Sequence, residues 1–384
     1  MNAAMKQIAI IGASYLQNPL ILKAKEMGFE THVFAWEAGD IGERTADHFY
    51  PISIVEKEAI LEKCREIQPD AVCTIASDLA EVTVNYVANA LGLAANSPES
   101  IGPCTNKFEM REALERADVT VPKHCVVSAN EAIVLPEGMA FPVIVKPTDR
   151  SGSRGIMKVE RREDVERAVM KSAEQSFEKK AIIEEFIDGP EYSCESVSFG
   201  GRHHVIAVTK KFTTDAPHFI EIGHMEPSDL NEEQLEAVHG AIPRALDALH
   251  ITTGISHSEF RMGADGVPHI IEIGARMGGD CIGSDLVMLS TGRDFLRMTI
   301  ETALGLPPTL DVVCPPRAAA IRFVFSQKDV DVIEKIRREA PETIIRCEMW
   351  GEVGSHEVSD SSSRYGYCLI AHEDPVRVRK LIEL

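Results

Sequence analysis

The sequence predicts an α/β protein: an N-terminal parallel α/β domain, an α+β domain behind it, and a small α+β C-terminal tail. Three observations carry that expectation. The first hundred residues alternate strand-like and helix-like stretches, as parallel α/β units do. The middle of the chain turns to paired strands, two of them sharing the short turn Gly263-Ala-Asp-Gly266. At 384 residues the chain exceeds one ordinary hydrophobic core and calls for two or three domains. The expected boundaries are residues 1–100, 101–313 and 314–384.

Gln7–Ile11 is an apolar strand, Asn18–Met27 an amphipathic helix ending before Gly28, and Thr31–Trp36 the next strand. Lys57–Glu66 reads as helix, Asp70–Ile75 as strand and Ala80–Leu91 as helix. That rhythm implies right-handed crossovers. The first turn, Gly12–Gln17, keeps only the first glycine of G-x-G-x-x-G, which disfavours NAD(P) or FAD there. Further on, Asn106–Arg116 is a charged helix, and Phe141–Lys146 is a strand that ends in lysine. Val165–Ser176 is a helix and Ala181–Ile187 a strand. Tyr192–Phe199 and Val205–Lys210 form a strand pair, and Glu233–Leu249 is helical. Ser256–Met262 and Val267–Ile273 form a hairpin, with Pro268 tolerable near a strand start. Lys210–Pro227, mixing lysine, aromatic, histidine and acid residues, is expected as a specificity loop or a solvated surface loop. In the tail, Arg317–Phe325, Val330–Arg338 and Tyr367–Ala371 suggest a small α+β unit.

Composition narrows the function. A formal net charge of −20, spread along the chain, argues against nucleic acid and anionic membrane as partners. A phosphate ligand must then be held by local basic groups and backbone amides. The nine cysteines form no C-x-x-C pair and no short-period framework, which fits a reducing cytosol. Neither a signal peptide nor an apolar run of the roughly 20 residues a membrane helix needs is evident. The expected location is cytoplasmic.

Four stretches carry chemistry. In Val143-Ile-Val-Lys-Pro-Thr-Asp-Arg-Ser-Gly-Ser-Arg-Gly-Ile156, a strand delivers Lys146 into a Ser/Gly loop. Exposed amides beside a lysine suit polyphosphate, although a surface hairpin has the same composition. In Ile182-Ile-Glu-Glu-Phe-Ile-Asp-Gly-Pro-Glu-Tyr192, one of Glu184 and Glu185 must face inward, since neighbours on a strand alternate. Adenine and ribose would supply donors to such an acid; taken alone, the stretch reads better as a plain acidic strand end. Across the expected hairpin, Glu259 and Glu272 share one face, and two carboxylates so placed want a cation between them. Hard oxygen ligands suit Mg²⁺ or Mn²⁺ bridging ATP phosphates. Arg276, four residues beyond Glu272, can hold a carboxylate or phosphate bidentately. Structural salt bridges are the alternative for this set.

In this order the four stretches resemble the ATP-grasp superfamily, particularly its carboxylate–amine ligases, over about residues 1–313. The resemblance implies a pre-ATP-grasp α/β domain, then an ATP-grasp domain with a flap subdomain at about residues 115–187. It implies phosphate contacts from Lys107 and Lys146, a flap of Ser151, Gly152, Ser153 and Gly155, and adenine contacts from Glu184, Glu185 and the Ile187 backbone. It further implies ribose binding by Glu191, metal ligation by Glu259 and Glu272, and acyl-phosphate stabilisation by Arg276. Two departures stand out. Gly274 occupies the place where many members carry a ligating asparagine, and His257 replaces the arginine of D-alanine–D-alanine ligases. The pattern is closer to the L-amino-acid (dipeptide) ligases.

The implied reaction uses ATP and Mg²⁺ or Mn²⁺ to join a small carboxylic or amino acid to an amine through an acyl phosphate. Lys211, Glu221, His224 and His257 are candidate substrate contacts. Competing readings are a bicarbonate- or formate-using member of the superfamily, and a nucleotide-binding module without catalysis. Residues 317–384 are expected to close over the site or to make a homodimer contact.

Overall fold

The computed structural model describes residues 5–128, 131–150, 152, 154–214 and 219–384. Ser151 and Ser153, expected in the flap, lie outside the described residues. Three sheets organise the chain. The first is parallel, with order β3-β2-β1-β4, built from β1 (Gln7–Ile11), β2 (Glu30–Phe34), β3 (His48–Tyr50) and β4 (Ala71–Cys73). The central strands are covered by helices: β1 buries four of its five residues and β4 all three. The Gly12 turn is filled by protein: the Gln17 side chain accepts a hydrogen bond from Ser14 Oγ (2.6 Å) and donates to the Ile75 carbonyl (2.7 Å).

The second sheet comprises β5 (His124–Ser128), β6 (Val143–Pro147), β7 (Met157–Val159) and β8 (Lys180–Glu185), in the order β5-β8-β6-β7. The amphipathic helix Val165–Gln175 lays its apolar stripe, from Val165 through Ala168 and Val169 to Ala173, against this sheet.

The third sheet has eight strands. They are β9 (Glu191–Phe199), β10 (Arg202–Thr213), β11 (Glu221–Glu226), β12 (Gly254–Met262), β13 (Pro268–Gly274), β14 (Ala318–Phe323), β15 (Ile344–Met349) and β16 (Gly366–His372). Their order is β13-β12-β9-β10-β11-β14-β16-β15, so the strands of the chain's last seventy residues extend the same sheet as the hairpin β12–β13. The helix Phe295–Ala303 joins the first and third sheets through one core that contains Ile8, Ile10, Val197, Ile255, Phe295 and Met298. This shared core fixes the carboxyl ends of β1, β2 and β4 over the hairpin.

Two sequence expectations change. The stretch Lys210–Pro227 is not one loop: its ends belong to β10 and β11, which pair antiparallel from Lys210↔Met225 onward. Its alternation was obscured because polar residues such as His224 and Glu226 are buried. Second, Cys347 and Cys368 stand opposite each other on β15 and β16 and form a disulfide. Their separation of 21 residues gives no local signal; only the strand pairing brings them together. Among the described residues, no helix is long and apolar enough to cross a membrane.

Candidate active site

The hairpin β12–β13 sets the centre of the site. Its register places Glu259 directly opposite Glu272, and His257 opposite Gly274. Alternation along β12 puts His257, Glu259 and Arg261 on one face. Each opposed carboxylate holds a lysine ammonium. Lys107 Nζ lies 2.9 Å from Glu272 and donates to the Arg150 carbonyl at 2.7 Å, while Lys211 Nζ lies 2.5 Å from Glu259. Lys211 also reaches Glu191 at 3.1 Å and Glu221 at 3.7 Å, so one buried ammonium serves three acids. Burial works against its charge, but Glu259, Glu191 and Glu221 raise it well above the usual lysine range. Glu259, held by Lys211 and His257 against the burial penalty, stays well below the usual carboxylate range.

Below this face lies a second charged group. Lys146, at the end of β6, sits 2.6 Å from Glu184 on the adjacent strand β8, and Arg111 Nε approaches Glu184 at 2.6 Å from the helix Lys107–Arg116. Burial raises the Glu184 carboxyl, but the two cations outweigh it and hold the group down to about 2. Burial lowers the Lys146 ammonium, with Arg111 and Lys107 adding to that push against Glu184. Glu185, on the other face of β8, accepts from the Ala140 amide at 2.7 Å. Arg261 donates to the Ile187 carbonyl at 3.1 Å and lies 3.4 Å from Glu191. Gly152 and Gly155 of the flap loop both have φ near 70°, a region that residues with a Cβ rarely adopt. All of these groups except Arg111, Ala140, Gly155 and Lys211 border a cavity of about 160 Å³.

A larger chamber of about 850 Å³ adjoins it; Glu221, His257, Glu259 and Arg276 line both, and Lys211 lines the larger one. One wall comes from the loops that follow β1, β2 and β4, represented by Tyr15, Asp40 and Asp78. Carboxyl ends of parallel strands are where open α/β sheets bind ligands. The opposite wall comes from the tail, including Trp350 and Arg364; the Trp350 ring lies 4.8 Å from that of Tyr15. Arg364 stacks on Phe323 at 3.7 Å and binds Asp280 through both carboxylate oxygens, at 2.9 and 2.8 Å. His224 is 1% exposed, and neither ring nitrogen has a hydrogen-bond partner. Its nearest acid is Asp280, at 3.7 Å.

Arg276 has a partner the sequence did not disclose. Its Nε and Nη2 donate to Asp78 Oδ1 and Oδ2 at 2.8 and 3.0 Å, across 198 residues of chain. Asp78 opens the helix Asp78–Leu91 behind the N-cap Ser77. The third-ligand position is filled by the same acid: a Cβ on Gly274 would lie 2.7 Å from Asp78 Oδ1. His257, 6% exposed, bonds Glu195 through Nδ1 and faces Glu259 through Nε2 at 3.2 Å. Burial opposes its charge, yet Glu195 and Glu259 push its pKa up to about 9. Glu195 also accepts from the Gly278 amide at 3.0 Å. Sequence reasoning therefore missed Asp78, Arg111, Glu195, Asp280 and Arg364. Of these, Asp78 had a usable signal, since an acid beside Ser77 follows a parallel strand end.

The arrangement suits a divalent ion and a polyphosphate. Glu259 and Glu272 are hard oxygen ligands in direct opposition, each already neutralised by a cation, so the demand for positive charge is built in. Lys107, Lys146 and the flap glycine Gly152 line the same cavity.

A family model described as an ATP-grasp domain matches residues 139–285. An uncharacterized protein of Sinorhizobium fredii is 28% identical, the alignment covering 70% of this chain and 56% of that protein. Carnosine synthase 1 of Gallus gallus is 24% identical, over 81% of this chain and 36% of the relative. The chain thus spans about half, or less, of the length of these curated relatives. A crystal structure of an L-amino acid ligase from Bacillus licheniformis superimposes with a TM-score of 0.82 and 25% identity, covering 98% of this chain and 97% of the other.

Proposed function

For this chain, which carries an ATP-grasp domain, we propose an ATP-dependent carboxylate–amine ligase that activates a small carboxylic or amino acid as an acyl phosphate. One observation carries the reading: Glu259, which borders both a lysine-lined cavity and a chamber large enough for organic substrates, directly faces Glu272 of the lysine-lined cavity. A carboxylate oxygen of the acid attacks the γ-phosphorus of ATP, and ADP leaves with the electron pair of the broken P–O bond. The amine then attacks the acyl carbon, and phosphate departs carrying that carboxylate oxygen while the nitrogen loses a proton. Phosphoryl transfer asks mainly for positioning and charge neutralisation. Magnesium held by Glu259 and Glu272 supplies part of that neutralisation when bound.

The chain's own residues do the rest. Lys107 and Lys146 leave Glu272 and Glu184 for phosphate oxygens, under a flap that includes Gly152 and Gly155. Glu184, Glu185 and Ile187 border the adenine, and Glu191 the ribose. Arg276 holds the acid and later the tetrahedral oxyanion. Lys211 and His257, both cationic, sit where negative charge moves between the two chambers. Glu221 and His224 take the incoming amine; the unpartnered ring nitrogens of His224 are ready for it. The chain divides on this reading at residues 1–100, 101–313 and 314–384, with the sheet β5–β8 as the flap.

A chamber of about 850 Å³ has room for an organic acid beside its amine. The names of two relatives, a carnosine synthase and an L-amino acid ligase, point the same way. The test is incubation with ATP, Mg²⁺ and pools of carboxylic and amino acids. Substrate-dependent ADP and phosphate support the ligase, whereas AMP and pyrophosphate mean adenylation.

A further inference from the structure

Asp78 and Arg276 make a bidentate pair between the first helix turn after β4 and the loop after β13, with side chains only 17% and 13% exposed. The pair borders the large chamber beside His257 and Glu259. Nothing in the local chain requires an acid at position 78. The helix cap is Ser77, whose hydroxyl accepts from the Ala80 amide. Instead, the backbone makes room for it, since any side chain at position 274 would collide with Asp78 Oδ1.

Resting on the ligase reading, we propose that Asp78 is a specificity-determining residue that selects an amino acid, rather than a plain carboxylic acid, as the group to be phosphorylated. The argument is one of charge balance. Asp78 occupies Arg276 as a substrate carboxylate would, through both oxygens, so the incoming acid must displace it. An unpaired carboxylate in a buried site is strongly disfavoured. The neighbouring cations are committed elsewhere: Lys107 to Glu272 here and to phosphate on the ligase reading, and His257 to Glu195 and Glu259. The surroundings also resist a further negative charge, since burial and the nearness of Asp78 push the Glu81 carboxyl, one turn along the helix, up to about 8. A plain acid that takes Arg276 leaves Asp78 without a partner. An amino acid brings an ammonium a bond or two from its carboxylate; Asp78 turns to that ammonium and every charge stays paired.

The experiment measures ADP release by the full chain with matched pairs, each amino acid against its des-amino carboxylic acid, in wild type, Asp78→Asn and Gly274→Ala. Asn keeps the size and the hydrogen-bond acceptor for Arg276; the methyl of Gly274→Ala pushes the intact acid aside. Expected is a wild-type preference in kcat/KM of about 100-fold or more for the amino acid, as in sites built to pair a polar group. In both variants that preference should shrink by about tenfold or more, with the KM for ATP unchanged in Asp78→Asn. Equal losses for both members of each pair would reduce Asp78 to scaffolding and overturn the proposal, as would a wild type that prefers des-amino acids. ADP release with no acid at all would overturn the ligase reading, and this inference with it.

Discussion

The two chambers of this protein are built differently. Around the smaller one, the acids and Lys146 come from neighbouring strands and one hairpin, Lys146 beside Glu184 across β6–β8 and Glu259 opposite Glu272 across β12–β13, while Lys107 and Arg111 reach in from one helix. Around the larger one they come from chain segments far apart, with Asp78 on Arg276 and Asp280 on Arg364, 84 residues away. A site assembled from local pairs depends on register. A site assembled from distant segments depends on how three sheets are docked, and substitutions there should affect the assembly as well as the chemistry.

The sharpest contrast should come from the tail. Arg364→Met leaves the partly buried Asp280 beside an aromatic wall without its arginine, and should cost about 2 kcal/mol of unfolding free energy in a denaturant titration. A loss below about 0.5 kcal/mol would place the pair among ordinary surface bridges and dissolve the distinction. Next, Glu259→Gln should leave the fold nearly unaffected while lowering acid-dependent ADP release by about 100- to 1,000-fold, the scale seen when one charge-stabilising group is removed. Substrate-dependent turnover close to wild type would remove Glu259 from the metal set.

A smaller effect separates the two substrates. Glu221→Ala should raise the amine KM by about tenfold, consistent with losing one charge-assisted bond, while ADP formation on the acid alone changes less. Equal losses in both would remove the amine role. The mildest test is pH. His257 titrates at about 9 in the folded chain, above its ordinary 6.5. The stability it contributes is therefore fully present below pH 6.5 and is lost as pH rises through 9. His257→Gln should flatten the unfolding free energy across that window; an unchanged slope would show that His257 is not the titrating group.

Legibility followed the same division. The strands Gln7–Ile11 and Tyr192–Phe199 were readable because their apolar runs are local, and the Glu259–Glu272 pairing followed from a hairpin whose turn is four residues of glycine, alanine and aspartate. The strand Glu221–Glu226 was hidden because Glu226 and His224 are buried, so alternation of apolar and polar residues fails. Burial and the hydrogen bonds from Ser290 and Thr209 act on Glu226, and burial wins, raising its carboxyl to about 7. Such a residue reads as solvated until its partners are seen. Asp280 and Arg364 were silent for a different reason: each looks like a surface charge until the sheets are docked. The position of Gly274 shows the two levels meeting. Its missing side chain was visible in sequence, but only the fold shows Asp78 in that space.

The central claim is that a substrate carboxylate is activated by phosphate. The direct measurement is oxygen transfer: the acid is labelled with ¹⁸O in its carboxylate, turned over with ATP and the amine, and the released phosphate is weighed by mass spectrometry. One ¹⁸O atom in each inorganic phosphate is the predicted result, because the attacking carboxylate oxygen leaves with the phosphate. Unlabelled phosphate, or label appearing in AMP, would contradict the account.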